Sequence, residues 1–159
     1  MSTIIQQAAV LISPAKILWF PEAATQTFKK GEFVYLVSGK VTVVPTTKQS
    51  QSKVAGMALM DASETVDTAI AIAVAEEGVV FELNVYHSSV GSAITAVADV
   101  SKVYGLKIAS NKHYVDLTDT ADTVFHVKRL SPKDASGDTY GRLQVEVIGS
   151  RCQLSGQTS

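Results

Sequence analysis

One cysteine in 159 residues has nothing to pair with inside the chain. No disulfide framework is possible, and a reducing site of synthesis such as a bacterial cytoplasm is expected. That residue, Cys152, falls in a polar stretch close to the end of the sequence. Charge is also scarce: 18% of residues are charged and the formal net charge is -1. Such a chain projects no long-range field toward nucleic acid or an anionic membrane, so neither partner is expected. No apolar run approaches the roughly 18 residues of a spanning helix. The apolar opening Ile4-Ile5-Gln6-Gln7-Ala8-Ala9-Val10-Leu11-Ile12 has no basic residue before it and is interrupted by two glutamines. That pattern argues against a secretory signal, and a soluble protein is expected. The catalytic and phosphate-binding signatures are missing too: there is no Gly-rich phosphate loop, Gly-x-Ser-x-Gly elbow, His-Glu-x-x-His or Cys-x-x-Cys.

What the sequence does contain is a succession of short β-like runs. Its length suits one domain, able to bury about two-thirds of its unfolded surface without disulfides or metal. Pro14 and Pro21 disfavour a helix near the start. Residues 1–28 therefore read as an extended arm that includes Leu18-Trp19-Phe20. Two apolar runs flank Ser38-Gly39, a plausible hairpin turn, and Pro45 ends the second. The wholly polar segment from Thr46 to Lys53 reads as a mobile loop. Further strands are expected over Val54 to Met60 and Thr68 to Ala75, the latter with Ile70, Ile72 and Val74 on one side. Val79, Phe81, Leu83 and Val85 alternate with more polar neighbours, as a strand requires. Ser88 to Asp99 fits either a short helix or an irregular crossover. Lys102 to Ala109, His113 to Leu117, Val124 to Leu130 and Tyr140 to Ile148 complete a β-rich domain over residues 29–149, followed by a flexible polar tail at 150–159. About ten short strands without a repeat or a strong amphipathic helix point to a mostly β single domain, a β-sandwich or β-barrel of short antiparallel strands.

Several polar groups invite chemical readings. His87-Ser88-Ser89 offers a base beside a nucleophile, with Asp99 or Asp116 to orient it, but adjacency in sequence does not supply triad geometry. His113 and His126 lack other ligand types at a metal spacing. Asp116, Asp119 and Asp122 do not follow the alternation of a calcium loop, and a turn capped by Asp and Thr side chains fits better. Glu76 and Glu77 point opposite ways if they lie on a hairpin. No cofactor, metal or catalytic residue is expected. The aromatic pair Trp19 and Phe20, on an arm, can cover the chain's own core or anchor a neighbour.

Five segments together resemble the head decoration, or cement, proteins of tailed bacteriophages. They are Lys30-Gly31-Glu32-Phe33-Val34, Val54-Ala55-Gly56-Met57-Ala58, Val103-Tyr104-Gly105-Leu106-Lys107, the run from Tyr114 to Thr120, and the run from Tyr140 to Val147. The resemblance covers roughly residues 28–149 and rests on strand-and-turn patterns. It implies a non-enzymatic virion protein that binds the outer surface of an expanded icosahedral capsid between major capsid subunits and stabilises it. It also implies a homo-oligomer, with a trimer favoured. Apolar arm residues Ile4, Ile5, Leu11, Ile12, Leu18, Trp19 and Phe20 are then the expected capsid or subunit contacts. A tail-tube or spike subunit, or a soluble ligand-binding barrel, would share the same β-rich content.

Overall fold

The computed structural model describes residues 2–46 and 53–154. Among them run eleven strands: β1 (Val10–Leu11), β2 (Ile17–Pro21), β3 (Phe33–Val37), β4 (Lys40–Val43), β5 (Gly56–Ala58), β6 (Ala69–Val74), β7 (Phe81–Tyr86), β8 (Val103–Ala109), β9 (Lys112–Asp116), β10 (Phe125–Leu130) and β11 (Arg142–Val147). The mostly β class read from the sequence is the observed one. The ambiguous segment from Ser88 to Asp99 holds two single-turn 3-10 helices, Val90–Ser92 and Val97–Asp99. The loop expected from Thr46 to Lys53 lies largely outside the described residues.

The strands form two curved sheets. In the larger, the order β7-β11-β10-β8-β9 returns to β7 through a parallel pairing of Val85 with Val115, so five strands close into a barrel and β1 is added beside β7. Alternate residues point inward as the pleat demands: Phe81, Leu83 and Val85 meet Leu143, Val145 and Phe125 in one buried cluster. The smaller sheet runs β2-β6-β5-β3-β4 and curls until Glu22, just past β2, bridges Val41 of β4. Its interior is a second cluster that includes Phe28, Val34, Val41, Ile70 and Ile72. Closure leaves few free strand edges, the main hazard of an all-β protein. The β3–β4 turn has the left-handed φ of a two-residue hairpin, 50° at Ser38 and 76° at Gly39.

Three strands of the smaller sheet reach into the large cluster: Met57 of β5, Ala73 of β6 and, most extensively, β3. In β3, Val34 faces the small cluster while its neighbour Phe33 faces the large one. The Phe33 ring meets Phe81 and Phe125 edge-on, with centroids 5.1 and 5.4 Å away, and stacks on the His113 imidazole of β9 at 5.7 Å. The Phe33 N–H donates to His113 Nδ1 at 3.0 Å, and Nε2 of the same ring lies 3.2 Å from Glu32 Oε1. Because Nδ1 accepts, the proton sits on Nε2 and is donated to the carboxylate. His113, Glu32 and Phe33 are all buried. His113 is therefore a core residue, not a metal ligand or base in a cleft. Gly31, with a φ of 94°, stands where a Cβ would lie 2.8 Å from Ala8 Cβ, so the N-terminal segment can pass close to the junction.

The polar tail begins later than its composition suggests. Cys152 is buried in the large cluster and bridges Val54, and the Gln153 side chain both accepts from the Leu36 N–H and donates to its carbonyl. A lone cysteine behaves as a small hydrophobe once a pocket is built for it. Burial, followed by the charges of Glu77, Glu76 and Glu146, pushes its thiol up to about 11, so it stays protonated and inert. Residues 155–159 lie outside the described residues.

Two predictions follow from the junction. Phe33→Ala removes a fully buried ring from the large cluster, and should cost about 3–5 kcal/mol in urea unfolding. Burial lowers the His113 pKa from its usual value, with Glu32 opposing in part. The unfolded chain therefore takes up a proton that the folded chain resists. Stability should be full above about pH 6.5 and fall as pH drops below it, by at most about 1.4 kcal/mol per unit for this one group. His113→Asn keeps an acceptor for the Phe33 N–H but cannot titrate; it should be less stable at pH 8, with a flatter profile between about pH 7 and 5. An unchanged slope in that variant would exclude His113 as its source.

Candidate functional site

The polar sets singled out in the sequence are placed apart and given local work. His87 Nδ1 accepts the Ser89 N–H, and Ser88 N–H donates to Thr118 Oγ1, which fixes the turn after β7. Asp99 accepts the Ala96 N–H and the Tyr104 hydroxyl, the latter at 2.7 Å. Burial first, and then Asp99, holds the Tyr104 phenol above its ordinary range. Asp116 accepts the Thr118 N–H, and Asp119 accepts those of Ala121 and Asp122, so these carboxylates shape successive turns. His126 Nδ1 is 3.0 Å from Glu146, and Glu76 lies 3.7 Å from Lys16 near the surface. Among the described residues, no group of three or more His, Cys, Asp or Glu is placed to hold a metal ion.

Two further carboxylates carry structural load. Glu22, fully buried, accepts from the Ser63 N–H and hydroxyl and from the Glu64 N–H, tying the 61–67 loop to the small sheet. On the outer face of the large barrel Glu82 accepts from Gln144 at 3.0 Å, while Arg142 grips Asp134 through Nε at 2.8 Å and through Nη2. That guanidinium holds the Asp134 carboxyl below its usual range.

With the polar groups occupied, exposed apolar side chains remain as the surface feature to explain. The N-terminal segment is extended, as expected, and is paired along both sheets. Ile4 N–H donates to Thr139, Asn84 accepts the Gln7 N–H and donates to the carbonyl of Ile5, β1 pairs with β7, and β2 pairs with β6. The seven expected contact residues divide accordingly. Leu11 and Phe20 are half-buried and pack against the large and small clusters respectively, and Ile4 is also half-buried. Ile5, Ile12, Leu18 and Trp19 face solvent, Ile5 at 75% and Trp19 at 61% exposure.

Exposed apolar residues are spread over the surface, Ile12, Val37, Val66 and Val100 among them, and two places involve the N-terminal segment. At one end of the large barrel Thr139 bridges both Thr3 and Ile94, which brings the start of the chain beside the crossover after β7. Ile5 follows Thr3 by two residues, and Val90 and Val97, the latter 72% exposed, flank Ile94 in the crossover. The second place is β2, where Ile17 and Trp19 share the face of β6 that carries Ala71 and Ala73. Sequence reasoning found Trp19 and Ile5 but missed Ile17, Val90 and Val97. Valines at 90 and 97 sit among small residues with no clear period, so nothing in their spacing marked them as exposed. Among the described residues, no helix is long and apolar enough to cross a membrane. A scan against family models finds no match, and neither does a search of curated proteins.

Because Trp19 already stands mostly in water, Trp19→Ala should change the urea midpoint of the free protein only slightly, by less than about 1 kcal/mol. A loss of 3 kcal/mol or more would place the indole in the core instead.

Proposed function

We propose that this chain is a non-catalytic structural protein of a tailed-phage virion that binds the outside of an expanded head between major capsid subunits. The observation that carries the reading is the set of exposed apolar side chains on the two segments that Thr139 bridges. Ile5, Val90 and Val97 are exposed on backbone fixed by the Thr139 bridges and by the bonds of Asn84. Apolar side chains on rigid backbone lose little entropy on docking, which is what a repeated shell contact needs. The five decoration-like segments support the same reading, and they fall on or overlap strands β3, β5, β8, β9 and β11. A ligand-binding barrel is less well supported, because Phe33, Phe81 and Phe125 meet in the interior where a ligand would need convergent polar groups.

The mechanism is mass action. A protein that binds only the expanded shell stabilises it by about 2.7 kcal/mol per site at a hundred times its dissociation constant. Many symmetry-related sites multiply that effect. In this role no cofactor is needed, and the partner is the major capsid protein.

Purified protein at micromolar concentration should co-sediment with expanded heads, not with unexpanded ones, and should raise the temperature at which the heads open. Replacing Ile5 and Val97 together by Asp should weaken that binding about tenfold or more while leaving the circular dichroism of the free protein unchanged. Absence of co-sedimentation, or binding to labelled tails rather than heads, would overturn the assignment.

A further inference from the structure

The backbone of β2 is open along one edge. Val74 N–H donates to the carbonyl of Lys16, and Glu22 N–H donates to that of Thr68, two positions in the same register of β2 against β6. Peptide groups alternate sides along a strand. Lys16, Leu18, Phe20 and Glu22 therefore bond to β6, whereas the N–H and C=O groups of Ile17 and Trp19 point the other way. On that side β4 reaches the chain only at its far end, where Glu22 bridges Val41 and Ala23 N–H donates to the Val41 carbonyl. The pairing is parallel, so residues before Pro21 run past the Ser38-Gly39 turn, beyond the reach of β4. Ile17 and Trp19 thus combine free backbone groups with exposed side chains, at 53% and 61% exposure, and Leu18 between them is 36% exposed. Proteins ordinarily blunt such an edge with charge, a bulge or a cover. Here Pro14 and Pro21 limit its length, and among the described residues none pairs with its centre on that side.

We infer that this edge pairs with the same edge of a second copy, antiparallel, about a two-fold axis at Leu18. The spacing is self-complementary. Ile17 falls opposite the second copy's Trp19, and Trp19 opposite its Ile17, so all four outward N–H groups and carbonyls can bond. On one face this makes two aromatic-to-branched cross-strand pairs, a favourable combination, and on the other Leu18 meets its own copy. The chain's formal charge of -1 sets up no repulsion between copies. A C2 contact needs one patch that complements itself, which this tripeptide supplies. Six apolar side chains and four backbone bonds fall short of the roughly 800 Å² per partner of a stable complex, so free protein pairs weakly and the contact gains strength where copies are held close together. The pairing does not depend on the shell reading. It is a two-fold arrangement in place of the trimer that the decoration resemblance implies.

Register-specific cross-linking tests it in the full chain. In a strand pair centred at Leu18 the two Leu18 Cα atoms lie about 4.5 Å apart as a non-bonded pair, within disulfide range. The two Ile17 Cα atoms are offset by two residues and more than about 8 Å apart, outside it. Oxidised Leu18→Cys should therefore give a linked dimer at least about tenfold faster than Ile17→Cys, whereas Cys152 is buried and contributes none. In parallel, sedimentation equilibrium of the unmodified protein up to about 1 mM should show a monomer–dimer equilibrium that Trp19→Lys abolishes without altering the circular dichroism. Equal cross-linking of the two cysteine variants, a monomer at every concentration, a trimer, or a dimer that survives Trp19→Lys would each overturn the proposal. The sedimentation arm stands even if a cysteine variant fails to fold, and head binding measured separately shows whether the shell reading survives.

Discussion

A single imidazole can serve two sheets only in one protonation state, and the architecture depends on that restriction. His113 Nδ1 must be bare to accept the Phe33 N–H, and Nε2 must carry the proton to reach Glu32. The buried Phe33 N–H would otherwise have no acceptor, at a cost of about 1–3 kcal/mol, and the Phe33 ring would lose the stack that directs it between Phe81 and Phe125. Through that ring the interior of one barrel is continuous with a strand of the other. Other small-sheet residues share that interior, Met57 and Ala73 among them, and at its margin Gln153 clasps Leu36 at the end of β3 while Val54 bridges Cys152.

Closure explains where the surface stays reactive. The larger sheet meets itself at β7 and β9, and the smaller one bridges back at Glu22 and Val41, so most strand edges are satisfied internally. Among the described residues, one edge left open is Ile17–Trp19 of β2, and exposed apolar side chains also stand at Ile5 and Val97. An assembly protein needs surfaces of this kind, presented without an ordering cost and too small individually to aggregate the free subunit. In the proposed reading the weak edge would serve contacts between copies and the segments around Thr139 a contact with the shell.

Much of the β architecture was legible, because strand periodicity is local. The alternation at Val79 to Val85, the Ser38-Gly39 hairpin and the run from Tyr140 to Ile148 each appear close to the expected residues. Two kinds of feature were not legible. Pairing partners of residues far apart, such as Phe33 with His113 or Val54 with Cys152, leave no local pattern, so a core histidine looked like any half-buried one and a core cysteine looked like part of a polar tail. Exposure was equally hidden. Trp19 and Phe20 are adjacent and similar in chemistry, yet pleating turns one to water and the other to the small cluster. The arm was read as separate from the domain because its prolines break helices; in fact the same extended geometry suits it for pairing with β6 and β7.

The Glu32, Phe33 and His113 junction is the main link that makes the two sheets one cooperative unit. Native-state hydrogen exchange across a urea series measures this directly, by following slowly exchanging amides of β6 in the smaller sheet and β11 in the larger. The account predicts that both sets open with the same free energy and the same urea dependence in the unmodified protein, and that Phe33→Ala separates them into two steps. Separate opening of β6 and β11 in the unmodified protein, or a single shared opening that persists in Phe33→Ala, would contradict it.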